Sequence, residues 1–327
     1  MRAVQNPYLS SSSPRFFRGE PFSYGYTFLV DMEPFEALRE AGRIASKVRD
    51  TTLAEIEPGV KVEYICDLVN QRVAEMGGKM AFPCNVDIDH VAAHYCAPIN
   101  DKTVIPERSL VKLDVGVHVD GYIADTAKTV SFDPSYDYLV EAATAGLDAA
   151  IQTIRPGVRA NEIGAAIEDA IRSHGAKPIR NLTGHKLARY VVHAGKSIPN
   201  INGHDRHVIN EGDVYAIEPF AVPPTADGLV TDGPPSNIYR MQKRRSVKGT
   251  AKKMQKYIQA EYRTLPFASR WVMRKFSSDK GVEAFQELLY AKSIMSYPQL
   301  IESSHAKVAQ AEHSVIVTED GCEVTTA

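Results

Sequence analysis

Five residues with the donor chemistry of a hard metal site sit in short apolar segments of this chain. They are Asp114 and Asp125 in KLDVGVHVDGYIADTAKTV, His185 in GHKLARYVVHAGKSIP, Glu218 in VYAIEPF and Glu312 in VAQAEHSVIVTEDGCEV. A carboxylate among apolar neighbours is costly unless it is paired or bound to a cation. Oxygen donors with one imidazole suit two divalent ions that share bridging carboxylates. They do not suit a cysteine-rich structural zinc, and Cys66, Cys84, Cys96 and Cys322 form no CxxC spacing. The four read as reduced thiols of a cytosolic protein. His193 lies eight residues after His185. Taken singly, either histidine also fits a structural role.

The two aspartates must be carried by a hairpin. Asp120-Gly121 stands between two β-forming runs, and a two-residue turn needs positive φ at both centres. That turn sets Val119 opposite Tyr122, His118 opposite Ile123, Gly116 opposite Asp125 and Asp114 opposite Ala127. Side chains alternate, so Asp114, Gly116, Asp125 and Ala127 share a face. The two acids are then diagonal neighbours, about 7–8 Å apart, and Gly116 leaves room above the sheet. Two acids on one face also describe an ordinary solvated surface.

The supporting helices repeat. Phe35, Leu38, Ile44 and Val48 mark a helix with Pro34 in its first turn. Ile65, Val69 and Val73 mark a second, after Pro58-Gly59 and before Gly77-Gly78. Pro156-Gly157-Val158 returns 98 residues after Pro58-Gly59-Val60 (156 − 58 = 98), and Ile163, Ile167, Ile171 and Gly175 follow in step. The later strands recur at 104 (218 − 114 = 104), where Asp114 meets Glu218. Such a match predicts an internal duplication of two α+β halves, with a pseudo-twofold site between them. VTEDGCEV predicts a last hairpin, turning at Asp320-Gly321, with Glu312 in its first strand.

Composition limits the class. At 327 residues, with 44% apolar and 24% charged side chains, the chain has the make-up of a soluble globular protein. A net charge of −2 gives no global pull toward nucleic acid or membrane, and specific DNA binding is not expected. Residues 229–306 differ: between Arg240 and Lys280, thirteen Lys and Arg stand against Glu261 and Asp279. That stretch reads as a basic helical insertion in the second half, either a solvated face or a contact with RNA or the ribosome. Residues 1–31, with SSSSP and scattered aromatics, read as a disordered tail before a catalytic domain spanning 32–327.

With these segments in view, the chain resembles methionine aminopeptidases of type II, in their short archaeal form, within peptidase family M24. FPCNVDIDHVAAHY and the four segments above occur in that family's order, and the resemblance covers about residues 32–327. It implies the duplicated pita-bread fold (α+β, with the type II helical insertion) and removal of the initiator methionine from nascent polypeptides in the cytoplasm. By position, Asp114, Asp125, His185, Glu218 and Glu312 match the five metal ligands, with Asp125 and Glu312 bridging two divalent ions. Co, Mn, Fe and Zn all suit such a site. His94 matches the catalytic histidine at the scissile amide, His193 the one near the substrate carbonyl, and Phe82 and Tyr297 the methionine pocket. Glu218 is the proton shuttle on this reading, and both histidines donate hydrogen bonds to the tetrahedral intermediate. Ala311 stands where many relatives carry Phe, and the tail has no counterpart. Two alternatives share the fold: an Xaa-Pro peptidase, which usually has an extra N-terminal domain, and a non-catalytic RNA- or ribosome-binding relative, which would lose ligands.

Overall fold

A computed structural model describes residues 32–327; the expectations for residues 1–31 lie outside it. The hairpin forms in the register its turn dictates. Leu110–Val119 pairs with Tyr122–Ser131, with Gly116 opposite Asp125 and Asp114 opposite Ala127. Asp120 and Gly121 take φ of 50° and 88°, the mirror-type turn that suits strand twist. The helix Pro34–Leu53 lies across this hairpin, burying Ala41, Ile44, Ala45 and Val48 on one face.

The duplication is visible in the backbone. Helices Val62–Glu75 and Ala160–Ser173 have 14 residues each and begin 98 residues apart (160 − 62 = 98). Each is preceded by a glycine with positive φ, Gly59 and Gly157, and followed by another, Gly77 and Gly175. Positive φ stops a helix at little cost only where no Cβ is present. Strand partners repeat as well. Met80 pairs with Val117 in the first half, and Pro178 pairs with Ala221 in the second. Each half has its own apolar core, one under Ile65, Val69 and Val73, the other under Ile163, Ile167 and Ile171. One difference is chemical. The long first-half strand carrying Asp114 is unbroken, whereas its counterpart splits into Val214–Ile217 and Phe220–Val222 around Glu218-Pro219. Pro219 has no N–H for a ladder, and its carbonyl accepts from Ala311 instead.

The halves meet where Tyr122–Ser131 runs beside residues 309–317. Glu312 N–H donates to the Ala127 carbonyl at 2.9 Å. Ser314 Oγ accepts from Asp125 N–H at 2.7 Å and donates to the Asp125 carbonyl at 2.9 Å. Thr126 and Thr129 donate their hydroxyls to the carbonyls of Glu312 and Gln310. Two of the acids are therefore fixed by one strip of backbone and hydroxyl hydrogen bonds.

Two expectations change in detail. The final hairpin forms, His313–Val317 with Cys322–Val324, but Val317 faces Cys322 across a four-residue loop, Thr318–Gly321. Asp320-Gly321 is thus only the end of the turn, and Glu312 stands just before the first strand. The basic segment is not helical throughout. Val230–Met241 and Ile294–Glu302 form an antiparallel ribbon, and this ribbon carries the helices Gly249–Glu261, Ser269–Lys275 and Asp279–Tyr290. Those helices close a separate core around Met254, Ile258, Val272, Phe285 and Leu288. Among the described residues, no helix is long and apolar enough to cross a membrane.

Candidate metal centre and active site

One pocket is lined by all nine residues the sequence singled out: Phe82, His94, Asp114, Asp125, His185, His193, Glu218, Tyr297 and Glu312. The hairpin contributes Asp114 and Asp125, the strand Thr183–Lys186 contributes His185, and the strand break supplies Glu218. Glu312 comes from the seam. Ligand atoms of Asp125, His185 and Glu312 lie within 4.8 Å of one another. His185 Nε2 is 3.6 Å from Asp125 and 3.7 Å from Glu218.

Electrostatics make this cluster unstable as bare charge. Asp125, Glu218 and Glu312 are held well above the usual carboxylate range, first by burial and then by neighbouring acids. Burial pushes Asp114 up to about 7, against a hydrogen bond from Asn85 that favours its charged form. Burial, and then His193, pushes His185 down to about 3, so its imidazole is neutral and cannot balance the acids. Asp114 Oδ1, Asp125 Oδ1 and His185 Nδ1 are buried without a hydrogen-bond partner. Carboxylate oxygens with no donor and neutral imidazole nitrogen are what a divalent cation takes up, so the donor set fits a metal.

The histidines occupy different settings. His94 has φ of 74°, a strained backbone for a side-chain-bearing residue. Its Nδ1 is 3.1 Å from the Pro298 carbonyl, which can only accept, so the ring proton sits on Nδ1. Burial lowers its pKa, leaving Nε2 unprotonated. The Tyr297 ring meets it edge-on at 5.5 Å. His193 stands at the open mouth, its ring 4.3 Å from that of His185, and crowding by protein holds it down to about 4.

Several contributors escape sequence reasoning. Asn85, opposite Asp114 in the neighbouring strand, donates Nδ2–H to Asp114 at 3.2 Å. Gln310 donates Nε2–H to Glu312 at 3.2 Å. Both lie inside quoted segments, yet only the strand register brings them to the acids. The room expected above Gly116 is filled. A Cβ there would stand 2.1 Å from the Phe82 ring, so the glycine lets the aromatic settle onto the sheet. Ile238 and Pro266 of the insertion, together with Tyr297, complete the wall opposite.

Fold and site together define a metallopeptidase, and the chain belongs to metallopeptidase family M24, whose sequence pattern matches residues 36–319. Within it, the chain is 45% identical over 295 residues to the methionine aminopeptidase of Methanothermobacter thermautotrophicus, covering 89% of this chain and 98% of that one. It is 46% identical over 297 residues to the methionine aminopeptidase of Thermococcus onnurineus, covering 90% of this chain and all of that one. In three dimensions it is similar to a thermophilic Arx1 (TM-score 0.76, 16% identity, 89% of this chain and 90% of that one). It is also similar to methionine aminopeptidase from Thermotoga maritima (TM-score 0.65, 21% identity, 90% and 96%). At those identities the two structures speak for the fold alone.

The acid cluster has a consequence for stability. Carboxylates held above their unfolded values bind protons more tightly in the folded, metal-free chain. That contribution is complete in acid and is lost as pH rises through the folded values, about 7 for Asp114. Chelated protein should therefore fall further below metal-loaded protein in Tm as pH goes from about 5.5 to about 8. Calorimetry of both forms checks this, and a Tm gap independent of pH would remove the electrostatic account.

Proposed function

We propose that this chain removes the N-terminal methionine from new polypeptides, using divalent ions held by Asp114, Asp125, His185, Glu218 and Glu312. The observation that carries this reading is the convergence of those five side chains in one pocket, with buried acceptor atoms left unpartnered. These five would hold the ions, Asp125, His185 and Glu312 bringing their donor atoms closest together. When bound, such ions acidify a water molecule and polarise a carbonyl. The protein's own groups do the rest. Glu218, part-exposed to the pocket, takes the proton released from water and delivers it to the leaving amine. His94 acts through unprotonated Nε2, which accepts the N–H of the scissile amide and fixes its plane. This differs from the donor role the resemblance implied, because Pro298 takes the single ring proton at Nδ1. His193, neutral and at the mouth, is free to donate to the carbonyl oxygen. Phe82, Ile238 and Tyr297 offer an apolar wall to an unbranched side chain.

Met-Ala-Ser should be cleaved at least about tenfold better in kcat/KM than Leu-Ala-Ser, since one misplaced methyl is worth roughly 1–3 kcal/mol. Phe82→Ala should narrow the gap with metal still bound. Equal cleavage by the unaltered enzyme, or preference for Ala-Pro peptides, would overturn the methionine assignment.

His94→Ala should keep its metal by elemental analysis and lose activity by about 10²–10⁴. His94→Gln, whose carbonyl can accept the same N–H, should recover part of the loss. Metal loss in His94→Ala would place the residue among the ligands instead.

The insertion supports a second contact. Lys243, Arg244, Arg245, Lys248, Lys252, Lys253 and Lys256 are all exposed. A run of this kind suits a polyanion, and ribosomal RNA lies where nascent chains emerge. Cosedimentation with ribosomes should fall steeply with salt and be lost on changing Lys252, Lys253 and Lys256 to Glu. Binding that ignores both salt and these changes is the contrary result.

A further inference from the structure

Arg240 is a cation beside the pocket-lining Tyr297 and, among the described residues, has no acidic partner. It lies in the ribbon strand Val230–Met241 and pairs in register with Met295. Its side chain is exposed, and its Cζ stands 5.8 Å from the centre of the Tyr297 ring. Tyr297 in turn lies against His94 at 5.5 Å. The guanidinium is therefore two contacts from the residue assigned to the scissile amide. Its field also reaches His193. Asp232, on the same strand, is felt at His94. Among the described residues, neither Asp232 nor any other carboxylate comes within ion-pair distance of Arg240, although Arg39, Arg43, Arg72 and Arg172 each have one. A guanidinium resting on an aromatic face is partly ordered before anything binds, which lowers the entropic cost of using it.

The direction of the substrate gives this cation an object. Phe82, seated on Gly116, and most of the acid cluster are buried while His193 is exposed, so the chain beyond the methionine must leave past His193 and Tyr297, the ring on which Arg240 rests. An extended peptide advances about 3.3 Å per residue. Successive side chains alternate, so the second residue turns one way and the third the other.

Building on the methionine aminopeptidase reading, we propose that Arg240 is a specificity residue that binds a carboxylate at the third position of the substrate, favouring Met-small-acidic N-termini. Free guanidinium and incoming carboxylate form a partly exposed pair at the rim. A pair of that kind changes mainly the association step and fades with salt. No covalent step is involved, and the rate of bond breaking in a bound peptide stays the same.

The test compares Met-Ala-Glu-Ser, Met-Ala-Gln-Ser and Met-Ala-Lys-Ser on metal-loaded enzyme. Unaltered enzyme should favour Glu over Gln by about two- to fivefold in kcat/KM, carried by KM, with Lys poorer still. High salt should compress the series. Arg240→Gln should bring the Glu/Gln ratio to one, Arg240→Lys should restore part of it, and Arg240→Glu should invert it toward Lys. The ratio is internal to each variant, so a general change in activity cancels. An unchanged ratio in Arg240→Gln, or no preference in unaltered enzyme, overturns the proposal. Met-Ala-Ser separates this from the reading beneath it. If that neutral peptide is cleaved and the charged series is flat, only the role of Arg240 falls; if it is not cleaved, the methionine reading falls first.

Discussion

The packing of Asp114, Asp125, Glu218 and Glu312 into one buried space sets the terms for what surrounds them. Two like charges about 4 Å apart repel by roughly 4 kcal/mol even at an intermediate dielectric of about 20. Four acids cannot all ionise there without cations, and His185 is neutral and gives no relief. The fold accepts that penalty by tying the acids down from outside. Asp125 is held at both backbone atoms by Ser314, Asp114 is steadied by Asn85 and Glu312 by Gln310. The surroundings thus aim acceptors inward and spend few donors on them.

Duplication makes this arrangement possible. Each half brings an acid-bearing strand to the same seam, and equivalence then ends where chemistry differs. Asp114 sits in an unbroken strand; Glu218 sits where Pro219 interrupts its own. The break frees Glu218 from a regular ladder. Asp87, 98 residues before His185 (185 − 87 = 98), is buried too. It stands opposite Lys112 in its sheet, as His185 stands opposite Ala216 in its own. The first half thus has a carboxylate where the second has a histidine, opposite a buried lysine whose Nζ donates to the carbonyls of Asp89 and Val308.

The sequence disclosed what local chemistry controls. Asp120-Gly121 dictates its own turn, and the register of Asp114 and Asp125 follows from it. Pro-Gly-Val and the stopping glycines expose the repeat because backbone conformation demands those residues. That the five candidate ligands share one pocket was legible only through family order, since no spacing says that residues as far apart as 114 and 312 meet. Other features were beyond reach for physical reasons. The φ of His94 and its bond to Pro298 depend on a strand some two hundred residues away. Phe82 on Gly116 is a tertiary contact that replaces an assumed gap. The ribbon was hidden by Pro234, Pro235 and Pro298, which argue against strands; the structure accommodates them with register shifts around Pro235.

The insertion's separate core carries a dynamic consequence. Ile238, Pro266 and Tyr297 wall the pocket, yet the helices behind them close on Met254, Ile258, Phe285 and Leu288, apart from the cores of both halves. A unit with its own core can open and close as a cooperative block while the rest of the chain stays folded. Amide exchange in those helices then reports a sub-global opening distinct from global unfolding. Each such opening would loosen the insertion's own helices while Ile238 and Tyr297, which pack against the first-half core, hold the pocket wall in place. The integrity of the insertion and that of the pocket are in that sense governed by different free energies within one chain.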